Sequence, residues 1–202
     1  GLVSLSPDGG KLAVLAQGEL DLLALGESPS NAFPGLKQGG AKAMVAIPDG
    51  VLLCTANELL LYRAAGTGTT KLSKSYSEGC QALATSATGT RAAVLLRCDP
   101  DQDTVEENCI HVVSIGAKMT LDLGPGKPFG LGGPGTATRI GMTADGKGVV
   151  VPDTDAVHGV WLDSSPYSAS SKKWSTTAKI VDMARGVSSL GDQFAVAEAM
   201  TK

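Results

Sequence analysis

Short apolar runs separated by polar turns recur along the whole chain. Their lengths are those of strands rather than helices. The first three are "LVSL" (2–5), "KLAVLA" (11–16) and "ELDLLAL" (19–25). The series repeats as "MVAI" (44–47), "VLLCTA" (51–56) and "ELLLYRA" (58–64). It returns as "QALATS" (81–86), "RAAVLLR" (91–97) and "IHVVSI" (110–115), and again as "RIGMT" (139–143), "GVVVP" (148–152) and "HGVWLD" (158–163). A weaker fourth run closes three of the units: "KLSKSYS" (71–77), "MTLDL" (119–123) and "KKWSTTA" (172–178). No fourth run is legible in the first unit. No stretch sustains the 3.6-residue spacing of an amphipathic helix.

The turns repeat too. "SPDGGKLAVL" (6–15), "IPDGVLLC" (47–54), "SATGTRAAVLL" (86–96) and "TADGKGVVV" (143–151) each place a glycine between the first and second apolar runs. Asp-Gly between apolar runs predicts a tight hairpin, because glycine accepts positive φ. The glycines Gly9, Gly50, Gly89 and Gly146 are 41, 39 and 57 positions apart. Insertions lengthen the last interval. A period near 40 with four antiparallel strands per unit predicts the blades of a β-propeller.

The phrase "SPDGGKLAVL" followed by "ELDLLAL" resembles the blades of TolB-like, YncE-like and WD-repeat-like propellers. "GVWLD" (159–163) is similar to the third strand of such blades, although Leu162 separates Trp161 from Asp163 and no Gly-His dipeptide is present. The resemblance implies a fold and carries over no catalytic residue. The expected fold class is therefore all-β: four complete four-stranded antiparallel blades at 1–40, 41–78, 79–123 and 139–178, a Gly/Pro-rich insertion at 124–138, and a partial fifth blade at 179–202. The partial blade points to a piece of a larger propeller or to an edge covered by a second chain.

Alternating strand direction sorts the loops onto two faces. The repeated Asp-Gly turns lie on one. The other collects the departures from the repeat: "CDPDQDTVEENC" (98–109), "GPGKPFGLGGPGTAT" (124–138) and "PDTDAVHG" (152–159). Asp99, Asp101, Asp103, Glu106 and Glu107 put five of the chain's 20 acids in one loop. This face, with Asp153, Asp155 and His158, is the expected binding face. Alternate oxygen ligands at Asp99, Asp101 and Asp103 suit Ca²⁺, but the loop lacks the turn glycine of an EF-hand. A solvated acidic loop is the plainer reading. Asp153, Asp155 and His158 have the chemistry of a transition-metal or acid–base site, and are equally ordinary turn residues. His111 reads as a packed strand histidine. The Gly-rich segment is no phosphate loop, since Pro128 follows Lys127 and no helix pattern comes next. Its prolines predict a rigid, non-repetitive surface loop.

Composition narrows the partners. Net charge is −3 and the longest basic run is Lys172-Lys173, so the footprint of a nucleic-acid binder is missing. No apolar run reaches the roughly 18–20 residues of a membrane helix. The chain starts at Gly1 rather than Met, which reads as a processed chain or a fragment. Four cysteines without a C-x-x-C pair are either buried thiols or two disulfides. Topology favours disulfides. Cys98 and Cys109 face each other across the neck of the acidic loop, and Cys54 and Cys80 end neighbouring strands of adjacent blades. Such bonds belong to a periplasmic, lumenal or extracellular protein. The functional expectation is a non-catalytic module binding a protein, a basic one or subunits of a larger assembly. The alternative is a Ca²⁺-dependent propeller enzyme such as a hydrolase or lactonase.

Overall fold

The computed structural model describes residues 1–26, 28–56, 58–64, 69–72, 79–98, 106–123, 129–134, 136–154, 156–162, 169–176, 180–188 and 191–198. They form five antiparallel sheets, each built from one uninterrupted stretch of sequence. The first contains β1 (Leu2–Leu5), β2 (Lys11–Ala16), β3 (Glu19–Ala24), β4 (Ser30–Asn31) and β5 (Leu36–Lys37). The second contains β6 (Ala43–Ile47), β7 (Gly50–Cys54), β8 (Leu59–Arg63) and β9 (Thr69–Leu72). The third contains β10 (Cys80–Thr85), β11 (Arg91–Cys98), β12 (Glu107–Ile115), β13 (Met119–Leu123) and β14 (Phe129–Pro134). The fourth contains β15 (Gly141–Met142), β16 (Gly148–Pro152), β17 (Ala156–Leu162) and β18 (Ala169–Ser175). The fifth is the pair β19 (Ile180–Ser188) and β20 (Gly191–Glu198).

Strand periodicity turns alternate side chains to opposite faces, and the second and third sheets bury both faces against their neighbours. Ala13, Leu15, Leu20 and Leu22 of the first sheet meet Ala46, Val51, Leu53 and Leu60 of the second. The opposite face of the second, with Leu52, Leu59 and Leu61, meets Ala92, Val94, Leu96 and Val113 of the third. Ala93, Leu95, Ile110 and Val112 then meet Met142, Val149, Val151 and Val160 of the fourth. Four complete blades and a half blade, stacked face to face in chain order, make a β-propeller architecture. Aliphatic side chains fill these layers, as the scarcity of aromatics requires.

One gap closes and one expectation needs correction. The first blade does have a fourth strand, but in two pieces: β4 pairs with Leu23 and Ala24 of β3, and β5 with Glu19 and Leu20. Asn31 shapes the bend between them, its Oδ1 accepting from the N–H groups of Leu22 (3.2 Å) and Phe33 (2.9 Å). The 124–138 segment is not wholly a surface loop either. β13 covers only Val112–Ile115 of the nine-residue β12, and β14 pairs with the remainder, Phe129 against Ile110 and Gly130 against Cys109. The exposed ladder edge of a long strand recruits whatever chain lies beside it.

The repeated turn phrase has a local mechanism. Ser6 Oγ donates to Asp8 Oδ1 (2.5 Å), while the N–H groups of Gly10 and Lys11 donate to Asp8 Oδ1 and Ser6 Oγ. Thr143 and Asp145 reproduce the arrangement with Lys147 and Gly148. Gly9, Gly89 and Gly146 supply the positive φ (68–72°) that closes the turns. Gly50 does not. It lies within β7, where a Cβ would run into the Tyr62 carbonyl oxygen, so close backbone approach explains that glycine. The turns also touch in series. Lys11 Nζ donates to the Pro48 carbonyl, Ala87 N–H to the Ala144 carbonyl (2.9 Å), and Arg91 Nη1 to the Gly146 carbonyl (3.2 Å).

Hydrogen bonds from Ser6 and then the Gly10 N–H hold the Asp8 carboxyl below its ordinary range. Thr143 and then the Lys147 N–H do the same for Asp145. A carboxyl depressed by folding stabilises fully above its unfolded pKa of about 4, and loses that contribution as pH falls through the lower folded value. The stability difference between the native protein and Asp8→Asn/Asp145→Asn should therefore shrink progressively below pH about 4 in urea titrations. A difference independent of pH down to 2 would refute the link.

Candidate functional site

The loop-bearing face converges on Asn108, at the start of β12 and fully buried. Its Nδ2 donates to Asp153 Oδ2 (2.8 Å), and its Oδ1 accepts from the Ala137 N–H (3.0 Å). Asp153, also buried, accepts at Oδ1 from Thr136 Oγ1 (2.6 Å) and from the Thr154 N–H (2.7 Å). One amide and one carboxylate thus lock together the base of the acidic loop, the connection leading into the fourth blade, and that blade's β16–β17 loop. The hydrogen bonds offset the cost of burying a carboxylate.

Above this lock lies a cleft of about 450 Å³, lined by Thr136, Thr138, Arg139, Asp153, Thr154 and Asp182 among others. Arg139 Nε and Asp182 Oδ1 pair across its rim at 3.2 Å, both well exposed. The Met183 N–H, and then Arg139, lower the pKa of the Asp182 carboxyl. Ile180 N–H donates to the Thr154 carbonyl (3.0 Å), which seats the half blade at the cleft's edge.

The cysteines pair as Cys54–Cys80 and Cys98–Cys109, with Cα separations of 6.1 and 6.0 Å. Cys98 and Cys109 are diagonal rather than directly opposed. The ladder sets Cys98 against Glu107 and Leu96 against Cys109. All four sulfurs belong to the apolar layer between the second and third blades.

The other sequence candidates separate. Glu106 is exposed and lies 3.8 Å from Arg97, and Glu107 is half-buried on β12. His158 is buried on β17 opposite Val151, within the layer between the third and fourth blades. His111 is buried at the centre of β12. Asp99, Asp101, Asp103 and Asp155 lie outside the described residues. Among the described residues, no group of three or more His, Cys, Asp or Glu could hold a metal ion. No described helix is long and apolar enough to cross a membrane.

Sequence reasoning missed Asn108 and Thr136. The available signal was a lone amide directly before the apolar run "CIHVV" (109–113), where a buried amide must find partners. Asn108→Ala would strand an Asp153 oxygen and the Ala137 N–H in a buried site. The expected cost is about 2–3 kcal/mol, read from the urea midpoint; a cost below about 0.5 kcal/mol would show the lock to be dispensable.

No protein-family model and no curated protein matches the chain. Solved structures do share its fold. One is KlAtg21 in complex with the coiled coil of AgAtg16, at 11% identity and TM-score 0.58, covering 93% of this chain and 60% of that one. Hsv2 of Kluyvelomyces marxianus matches at 8% and 0.57, covering 94% and 67%. A Bacteroides uniformis protein described as a 6-phosphogluconolactonase matches at 11% and 0.56, covering 96% and 57%. The chain spans 57–67% of the length of these three structures. Such low identities establish the fold alone, and that fold is the β-propeller.

Proposed function

We propose that this β-propeller is a non-catalytic binding module that docks a protein partner on its loop-bearing face and works in an oxidising compartment: the periplasm, a lumen or the cell exterior. The observation that carries the reading is the Asn108–Asp153–Thr136 lock, which joins the described ends of three non-repetitive loops beside one open cleft. Rigid, preorganised loops lower the ordering cost of association. The acidic loop adjoins the lock and favours a basic partner. The structure of KlAtg21 with a coiled coil gives a propeller precedent for protein docking. The oxidising compartment is supported by the two disulfides, which use all four cysteines.

The enzymatic alternative draws on the Bacteroides neighbour. It is the weaker reading, because Asp153 already accepts from three donors and His158 is buried between blades. Calorimetric titration with Ca²⁺, and lactone hydrolysis assayed with and without it, test this alternative directly.

The test of the binding reading replaces Asp99, Asp101, Asp103, Glu106 and Glu107 by Asn or Gln and measures capture of partners from the source extract. Folding should persist and capture should fall roughly tenfold, with native binding weakened by salt, because exposed charges are screened beyond about 8–10 Å. Undiminished capture removes the acidic loop from the interface. Capture abolished instead by changes at the Asp8 and Asp145 turns would place the interface on the opposite face.

A further inference from the structure

Proton counting fixes the direction of the hydrogen bonds at the floor of the cleft. A carboxylate accepts and does not donate, and a hydroxyl has a single proton. Thr136 Oγ1 therefore spends its proton on Asp153 Oδ1, 2.6 Å away. Thr154 Oγ1 lies 2.9 Å from Thr136 Oγ1 and must be the donor of that contact. It is left with lone pairs and no proton to offer a ligand. A hydroxyl chain aligned this way carries the polarity of the buried Asp153 carboxylate out to the cleft. The rim adds unused valences of both signs. Arg139 Nε and the Met183 N–H both donate to Asp182 Oδ1, at 3.2 and 2.8 Å. Among the described residues, Asp182 Oδ2 accepts no hydrogen bond, and Arg139 Nη1 and Nη2 donate none. Two carboxylates against one guanidinium leave the cleft acidic on balance. Ala137, Pro152 and Ile180, all buried, give the lining an aliphatic part.

We propose that this cleft binds a small aliphatic α-amino acid as its zwitterion. The ammonium donates to Thr154 Oγ1 and Asp182 Oδ2. The carboxylate accepts from the two Nη groups of Arg139, a fork suited to it. The side chain covers Ala137, Pro152 and Ile180. One carbon separates the two charged groups of an α-amino acid, which matches an Arg139–Asp182 pair held side by side at 3.2 Å. A lone amine would leave the guanidinium fork unmet and be repelled by it. A lone carboxylate would face an acceptor-only floor above Asp153, and a neutral polyol would use neither charge. The volume of about 450 Å³ falls within the range of small-ligand sites, roughly 300–1,000 Å³. The proposal goes beyond protein docking: it uses the cleft alone and stands whether or not the acidic loop touches a partner.

The probe is L-valine, with isobutylamine and isovalerate as the same skeleton carrying one charge each, and glucose as the neutral polyol. Ligand-observed NMR titrations of the native protein measure all four. Valine should bind saturably, and the two single-charge compounds roughly tenfold or more weakly. Substitutions should then divide the two ends of the ligand. Asp182→Asn and Thr154→Val are expected to weaken valine and isobutylamine roughly tenfold and leave isovalerate unchanged. Arg139→Gln should weaken valine and isovalerate and spare isobutylamine, and Thr154→Ser should keep native binding. Arg139 and Asp182 are well exposed, so the urea midpoints of their variants should match the native one. Four results would overturn the proposal: no saturable binding at millimolar valine, isobutylamine binding as tightly as valine, glucose doing so, or all three charged compounds weakened alike by each substitution. The acidic loop stays native throughout, so failure here leaves the capture experiment intact, and failed capture leaves this titration intact.

Discussion

Replacing Cys54 and Cys80 together by alanine is expected to lower unfolding stability by about 3.5 kcal/mol, the larger of the two disulfide effects. The bond closes a 26-residue separation, and removing it returns that loop entropy to the unfolded chain. The Cys98–Cys109 bond closes only 11 residues, and the same relation gives about 2.8 kcal/mol for Cys98→Ala/Cys109→Ala. Alanine is preferred to serine because all four positions are buried in an apolar layer, where a new hydroxyl would add its own penalty. The two losses differ in kind. Cys54–Cys80 joins β7 of the second blade to β10 of the third, whereas Cys98–Cys109 lies within one hairpin. Urea titrations of the two double variants measure both. If the within-hairpin bond proved the costlier, loop entropy would not be what these disulfides contribute.

The second large effect is expected at Gly50. Alanine there would drive its methyl into the Tyr62 carbonyl oxygen of the neighbouring strand. Neither strand can step aside, since β7 is hydrogen-bonded to β6 on one side and β8 on the other. Overpacking against backbone at such a site costs about 3 kcal/mol. Gly39→Ala is the control: it meets no atom within 4 Å and has no positive φ, so its stability should change by less than about 0.5 kcal/mol. Thermal melts of the pair decide the matter. Equal stabilities would mean that the sheet yields at Gly50.

The fold was legible because each complete blade announces itself twice, in its apolar runs and in the glycine-bearing turn between them, which is Ser/Thr-x-Asp-Gly in the first and fourth. That turn chemistry is local, so sequence suffices to read it. β4 and β5 left no signal, because strands of two residues have no periodicity; Asn31 and the free edge of β3 create them. β14 was hidden for the same reason, behind glycines and prolines that mark a loop until the unfilled half of β12 is seen. The loop-bearing face was visible as a set of departures from the repeat. What organises it was not. Asp153 stood out as one member of a polar cluster with His158, yet its partners are Asn108 and Thr136, 45 and 17 positions earlier. His158 went instead with the apolar residues, because strand alternation turns it toward the third blade. Trp161 was read as part of a blade signature, and nothing in the sequence placed Trp174 edge to face against it.

That each sheet draws on one continuous stretch of chain has a consequence for synthesis. A blade needs nothing downstream to close its ladders, so the first can form while the rest is still being made, and the others can follow in order. Loop closure stays cheap throughout, because strands find partners already nearby in sequence. The Cys54–Cys80 bond is the disulfide that ties one blade to the next. Cys54 emerges 26 residues ahead of its partner, so its thiol must wait unpaired until β10 is made, and the staple can then be set only across two blades already side by side.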